Sequence, residues 1–389
     1  EKLMASSNCE WKKLGDVCEI LGGSILSKKN FVAGLYPVIG GGKSPAGYHN
    51  KFNKDANTIL CSQSGTAGHI SRYNTPVWAS DCFSIKSNLN NSYLYYYLKS
   101  IQSNLYKLKN GAGPGHVYSK DIIKLDIPNP PLETQAQVVK TLDDLATLRQ
   151  NYMDIRDGLE RRTKYYFETM IKKHRKEITM AKLGDVCEIN KYNITKTDSF
   201  KNIKYIDLTS IDKGKINEIK TIEFNKKPSR ANRKVNIGNI LLGTVRPNLK
   251  NHTIITDKIW ENNLIVSTAF SVLESKTINP KYLYFCIMTD KINQQLINLA
   301  TGTPPTINSE NVKNTIIPVL PNEIIDEIVK YLDNLEAEKN KITKILKQLD
   351  IEMREILTQS YQSGDGIIQS SDDIIQPIDI NDELIETLQ

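Results

Sequence analysis

The sequence has no apolar run approaching the roughly 20 residues that a membrane-spanning helix needs. Its first residues, Glu1-Lys2-Leu3-Met4, lack the apolar core of a signal peptide, so a cytoplasmic location is expected. They also lack a leading Met, and the chain is expected to be a processed or trimmed piece of something longer. Cysteine occurs only at Cys9, Cys18, Cys61, Cys82, Cys187 and Cys286, with no C-x-x-C pair and no histidine cluster nearby, so zinc spacing is absent. Buried free thiols in a reducing compartment are expected instead. Basic residues are missing from Gln362 to Gln389, where seven acids stand among scattered isoleucines. That stretch is expected to be a mobile tail or a docking segment.

Reaction chemistry is also missing. Asn129-Pro130-Pro131-Leu132 looks like the Asn-Pro-Pro-aromatic motif that holds the target amine in adenine-N6 methyltransferases, but its fourth residue is Leu. No Gly-rich loop follows an apolar strand upstream to hold S-adenosylmethionine. Gly40-Gly41-Gly42-Lys43-Ser44 lacks the G-x-x-x-x-G-K-[ST] spacing of a phosphate loop. A structural turn is expected at both places. No carboxylate cluster with a nearby lysine marks a metal nuclease.

What is present is length, charge and repetition. The 389 residues exceed one compact core and suffice for two domains with connecting elements. All 51 basic residues precede position 362, whereas seven of the 44 acids follow it, so the body of the chain carries about +14. Such an excess suits a polyanionic partner. Lys13-Leu14-Gly15-Asp16-Val17-Cys18-Glu19-Ile20 recurs letter for letter from Lys182 to Ile189. Further matches follow in order. Ile59–Ser62 parallels Ile240–Gly243, Phe83-Ser84-Ile85 parallels Phe270-Ser271-Val272, and Tyr93–Tyr96 parallels Tyr282–Phe285. The loop Gly113–Val117 parallels Thr303–Ile307. The period is too long for a solenoid, so each copy is a domain.

Each copy ends in a predicted long helix. After Pro131, Val138, Leu145, Tyr152, Leu159 and Tyr166 recur every seven residues, with Leu142, Leu148, Ile155 and Met170 on the same face. After Pro321, Ile328, Leu335, Ile342, Leu349 and Ile356 do the same, with Ile325, Leu332, Leu346 and Met353 completing the seam. Sustained heptads predict coiled-coil helices, and prolines at the entry suit a helix start. Each runs about 40 residues, or about 60 Å, and two seams in one chain most simply pair antiparallel. Lys339 interrupts the second seam, either snorkelling or setting register. Short β-rich runs bounded by Gly, Asn and Pro fill the globular copies, with short helices expected at Ser92–Leu105 and Pro280–Leu299. The fold class is α+β with a curled sheet: two similar domains separated by two long antiparallel helices. The expected bounds are 9–130, 131–177, 178–320, 321–361 and an acidic tail at 362–389.

Polar, basic loops are the candidate DNA contacts. Arg can bind guanine through two hydrogen bonds, Asn or Gln can bind adenine likewise, and Lys and Gly-rich backbone suit phosphates. In the first copy the candidates are Lys43, Gln63, Ser64, Thr66, His69, Arg72, His116 and Tyr118. In the second they are Arg230, Arg233, Arg246, Asn248, Lys250, Thr306 and Asn308.

Across residues 9–360 the chain resembles the specificity subunit of a Type I restriction-modification system. The features that carry the resemblance are Lys-Leu-Gly-Asp-Val at each domain start, Ser64–Gly68, Pro228–Arg233, Gly238–Leu242, and a proline-rich entry to each long helix. The family's Pro-Leu-x-Glu-Gln appears as Pro131-Leu132-Glu133-Thr134-Gln135, and the second copy, Pro321-Asn322-Glu323-Ile324-Ile325, has lost both Leu and Gln. The resemblance implies a non-catalytic subunit that reads a split target in double-stranded DNA, one half per domain, with the helices as a ruler. It implies two methyltransferase subunits as partners, which would hold S-adenosylmethionine, and restriction motor subunits for cleavage. The chain itself would carry no cofactor. The duplication would give two identical partners equivalent docking places on one chain. The alternative is the recognition half of a fused restriction-methyltransferase of Type II (IIG-like). A coiled-coil scaffold without a DNA role is a third reading.

Overall fold

The computed structural model describes residues 9–111, 115–212 and 214–361. The expected acidic tail and Gly113-Pro114 of the first loop lie outside them. The chain divides into two compact units: residues up to Arg156 together with those from Asn340 onward, and Asp157–Lys339. Each unit holds one globular copy and a part of each long helix.

The duplicated octapeptide has the same job in both units. It forms a strand, one helical turn and the start of a second strand: Glu10–Lys13, Leu14–Val17 and Cys18–Gly22, then Thr179–Lys182, Leu183–Val186 and Cys187–Ile189. Leu14 and Leu183 are fully buried, and their N–H groups donate to Leu125 O (2.8 Å) and Thr315 O (2.9 Å). A Cβ on Gly15 would lie 3.1 Å from that of Ile123, and one on Gly184 would lie 3.1 Å from that of Lys313. Close backbone packing at both places accounts for the shared glycine.

In the first unit a four-stranded antiparallel sheet runs in the order Cys18–Gly22, Cys82–Ser87, Ile59–Ser62, Ile70–Arg72. A three-stranded sheet of Gly47–His49, Tyr36–Ile39 and Trp78–Ala79 lies apart from it in the hydrogen-bond ladder. The second unit repeats the first sheet as Cys187–Ile189, Phe270–Ser275, Ile240–Gly243 and Thr253–Ile254. It adds a mixed sheet of Lys220–Glu223, Asn202–Ile206, Leu264–Ser267 and Ala231–Lys234. The sheet structure of each copy is divided into small sheets, because strands of two to six residues are cut by loops that leave the ladder.

Strand register corrects one of the sequence parallels. Ser62 faces Cys82, and its counterpart Gly243 faces Phe270. Phe270 thus corresponds to Cys82, not to Phe83. The Phe-Ser pattern matches the wrong residue by one, a shift that exchanges the two faces of a strand.

The predicted helix at Ser92–Leu105 is two helices, Asn91–Ser100 and Gln102–Lys107. Asn90 caps the first through the N–H groups of Ser92 and Tyr93. The predicted Pro280–Leu299 helix also breaks in two, at Thr289, whose hydroxyl caps the second piece.

The long helices are Leu132–Lys173, of 42 residues, and Asn322–Gln359, of 38. In the first unit they run antiparallel. Val138 and Leu142 share one core with Met353 and Leu357, beside Tyr93, Leu94 and Phe83, and Arg149 Nε donates to Asp350 Oδ1 at 2.6 Å. In the second unit Tyr166 stacks on Tyr331 with centroids 3.9 Å apart. The second helix follows its predicted heptads as far as Met353: Ile325, Ile328, Leu332, Leu335, Ile342, Leu346, Leu349 and Met353 are buried, whereas Ile356 is only partly buried and Leu357 enters the core in its place. Lys339 snorkels, reaching Glu336 at 3.1 Å. The first helix departs from its heptads. Leu148 and Ile155 are 42% and 52% exposed, while Arg149, Met153 and Phe167 are buried. Its buried positions recur at eleven residues, as in Val138 and Arg149, Leu142 and Met153, and Leu159 and Met170, a repeat of about 3.67 residues per turn.

Gln135 is fully buried. Its Oε1 accepts from Asn90 N at 2.9 Å and its Nε2 donates to Pro130 O at 2.8 Å, which ties the helix start to the Asn90 cap. The matching position in the second unit is the buried Ile325, so the lost Gln there is an internal packing change. Among the described residues no helix is long and apolar enough to cross a membrane.

Candidate nucleic-acid interface

In the first unit the site grows from the turn after Ile59–Ser62. Ser62 N donates to His69 O (2.9 Å) and Gly68 N to Ser62 O (2.8 Å), closing the turn on itself. Thr66 N donates to Gly41 O at 2.7 Å, and Ser62 Oγ donates to Gly40 O at 3.1 Å. Gly65 has φ of +59°, and a Cβ there would lie 2.6 Å from Gly41 O. The two glycine-rich loops therefore lie backbone to backbone, which only glycine permits.

Two further anchors fix this turn. Gln63 N donates to Asp81 O (3.1 Å), and Ser64 Oγ donates to Asp81 Oδ2. Val117 N donates to Gln63 O (3.0 Å) and brings in the loop that carries His116 and Tyr118. The rings of His116 and Tyr118 stack with centroids 6.1 Å apart. Lys43, Gln63, Ser64, Thr66, His116 and Tyr118 thus gather at one end of the sheet. Lys109 and Lys120, absent from the sequence candidates, join them: Lys109 Nζ donates to Gly65 O at 3.5 Å, and Lys120 Nζ lies 5.3 Å from the Tyr118 ring centre. The interleaving of Tyr118 with Lys120 was the available signal for the latter.

Two candidates of this unit lie elsewhere. His69 is 2% exposed, with Nδ1 3.0 Å from Tyr106 Oη inside the fold. Arg72 faces Ile59, at the other end of the hairpin from the turn. Its Nη1 donates to Ser92 Oγ (2.7 Å) and its guanidinium lies 4.2 Å from the Tyr95 ring centre.

The second unit repeats the frame. Thr244 follows the strand Ile240–Gly243 as Gln63 follows Ile59–Ser62. Thr244 N donates to Ala269 O (2.9 Å), and Ile307 N donates to Thr244 O (2.9 Å), matching the bond between Val117 and Gln63. Arg246 is exposed, in the left-handed region at φ 51°, and its N–H donates to Pro305 O at 2.8 Å. Asn248 is exposed on the turn Pro247–Leu249, and Thr306 lies opposite Val245. The carbonyl of the exposed Arg230 accepts from Thr268 N at 2.8 Å, one residue from Ala269. Arg230, Arg246, Asn248 and Thr306 are thereby brought together.

Two candidates serve the fold instead. Lys250 Nζ donates to Asp290 Oδ1 (2.7 Å) and Met288 O (3.1 Å) and ties the turn to the helix Asp290–Leu299. Hydrogen bonds from Lys164 and Lys250 hold the Asp290 carboxyl down at about 2. Asn308 caps the helix Ser309–Asn314, accepting from Asn311 N at 2.7 Å. Arg233 is half-buried on Ala231–Lys234, where burial pulls its pKa down, and its Nη1 donates to Asn193 Oδ1 at 3.4 Å.

The six cysteines are free thiols, four of them buried. Burial pushes Cys82, Cys187 and Cys286 up to about 12, which leaves them protonated and inert.

The family described as Type I restriction modification DNA specificity domain matches residues 7–161 and 175–353. The Type I restriction enzyme MjaVIII specificity subunit of Methanocaldococcus jannaschii is 26% identical over 292 residues, 66% of this chain and 68% of that one. The putative type I restriction enzyme specificity subunit S.HindORF215P of Haemophilus influenzae is 25% identical over 373 residues, 88% of this chain and 92% of its own. Among solved structures, the S subunit of a Type-I restriction-modification system from M. genitalium shares the fold, with a TM-score of 0.55 at 17% identity, over 93% of this chain and 98% of that one. With two matches that together span most of its length, the chain belongs to the family of Type I restriction modification DNA specificity domains.

Proposed function

We propose that this chain is the DNA-reading subunit of a Type I restriction-modification complex. It recognises a target in two parts, one through each globular copy (9–130 and 178–320), and directs adenine methylation and cleavage by partner subunits. One observation carries this reading. The turn after the equivalent strand hangs from the same backbone bond in both units, yet carries Gln63 in one and Arg246 and Asn248 in the other. A common frame with different hydrogen-bonding side chains is what reading two different base sequences requires.

In this reading the chain performs no bond chemistry. Its partners are double-stranded DNA, two methyltransferase subunits that hold S-adenosylmethionine, and restriction subunits. The body's excess of positive charge supplies the attraction to phosphate, which weakens steeply with salt.

The test is binding of the assembled complex to its target duplex, with Arg246→Ala, Arg230→Ala and Gln63→Ala, as a function of salt. A side chain that contacts base edges is expected to cost about 1–3 kcal/mol on the cognate duplex alone. A phosphate contact weakens all sequences alike and lowers the salt slope by about one. Unchanged binding in all three variants overturns the placement of this face on DNA.

A further inference from the structure

Ile25 is an apolar side chain held out in solvent, 86% exposed. Its backbone is pinned on both sides. Ser24 N donates to Ala79 O (2.9 Å), Leu26 N donates to Ser80 Oγ (2.9 Å), and Trp78 Nε1 donates to Ser24 O (2.8 Å). The same segment, Ala79-Ser80-Asp81, carries the Gln63 turn through Asp81. Ile25 and Gln63 therefore stand on consecutive residues of one support. Lys28 and Lys29, both exposed, follow in the short turn Lys28–Asn30 and suit phosphate contacts.

We propose that Ile25 reads the 5-methyl group of a thymine in the half-site bound by the first unit. This rests on the DNA-reading function above. Ile25 offers no hydrogen bond, and along base-pair edges the thymine methyl is the apolar feature that distinguishes one pair from another. The alternative for an apolar side chain on DNA is a wedge driven between base steps. A wedge must project beyond its hydrogen-bonding neighbours. Ile25 has a short, branched side chain on a support shared with Gln63, which suits base-edge depth.

The experiment uses the full chain in complex with its methyltransferase and the target it methylates. Each thymine of the first half-site is replaced in turn by deoxyuridine, which removes only the methyl. The wild type is expected to lose about fourfold in affinity at one position, the worth of burying one methyl-sized group. Ile25→Ala should lose as much on the natural duplex and no longer distinguish thymine from deoxyuridine there. Equal methyl sensitivity in both proteins at every position overturns the proposal, as does a first half-site without thymine. An Ile25-dependent rise in 2-aminopurine fluorescence beside the site indicates a wedge and also overturns it. A wild-type complex that binds target and unrelated duplexes alike defeats the DNA-reading function itself. Selective wild-type binding with a flat methyl scan defeats only the role of Ile25.

Discussion

His252 lies beneath the Arg246 turn, fully buried, and its Nδ1 accepts the N–H of Gly243 at 3.0 Å. Burial pulls its pKa down to about 4, with Lys250 acting in the same direction and Asn293 against it. In the unfolded chain the ring titrates near pH 6.5. Between about 6.5 and 4 the unfolded state binds a proton that the folded state refuses. Stability is therefore full above that window and falls as pH drops through it, by on the order of 3 kcal/mol at its lower end. His252→Asn retains an acceptor for Gly243 and removes the titration. Thermal melting from pH 7 to 4.5 should show a shallower loss in the variant than in the wild type; identical pH slopes would assign the acid sensitivity to another group. At this scale the exposed turn positions of Arg230 and Arg246 were legible, because hydrogen-bonding side chains concentrated in glycine- and proline-punctuated turns have little reason to be buried. His69, Arg72, Lys250 and Asn308 were not. Their roles depend on which end of a hairpin they occupy, or on partners such as Tyr106 and Asp290 that lie about 40 residues away in sequence.

The two long helices show where periodicity informs and where it misleads. The second keeps its apolar residues on a seven-residue repeat from Ile328 to Leu349, and there the seam read from sequence is buried; at its end Leu357 replaces the predicted Ile356. The first satisfies the same repeat on paper through Leu148 and Ile155, but two polar-tolerant features break it: Arg149 enters the interface, and the burial pattern drifts to eleven residues. Arg149 and Asp350 form an ion pair largely shielded from water, at 9% and 14% side-chain exposure. Removing one member strands the other in a poorly solvated place, which costs about 3–5 kcal/mol, whereas replacing both with apolar residues of similar volume is neutral or stabilising. Arg149→Met alone should lower the denaturation midpoint, and Arg149→Met combined with Asp350→Leu should restore or raise it. A double variant less stable than either single one would show that the pair contributes net stability at this crossing. The short helices were located correctly in sequence, but their breaks were not legible, because a break made by a backbone turn at Ile101 or by the Thr289 cap leaves the apolar spacing intact.

At the scale of the whole molecule the duplication was the most legible feature, since eight identical residues need no structure to notice. Their purpose needed one: Leu14 with Gly15, and Leu183 with Gly184, seal the same junction in each unit. That junction also defines where the chain can be recombined. Glu10–Lys13 pairs with Asp126–Asn129 so that Trp11 faces Pro128, and Thr179–Lys182 pairs with Ile316–Val319 so that Met180 faces Pro318. Exchanging residues 11–128 for the matching domain of a relative therefore cuts both strands at one rung and leaves the long helices untouched. Tyr361 packs on Trp11 and Tyr97 at centroid distances of 5.5 and 5.9 Å, so the donor domain must keep aromatic residues at both positions. With those retained, the chimera should assemble with the same methyltransferase and methylate a motif altered in one half only. Exchange of 180–318 should alter the other half. The readout is methylome sequencing of cells that express each chimera. A change in both halves from a single exchange would mean that the two copies read DNA jointly, and an unchanged motif from both exchanges would mean that base recognition lies outside the globular copies.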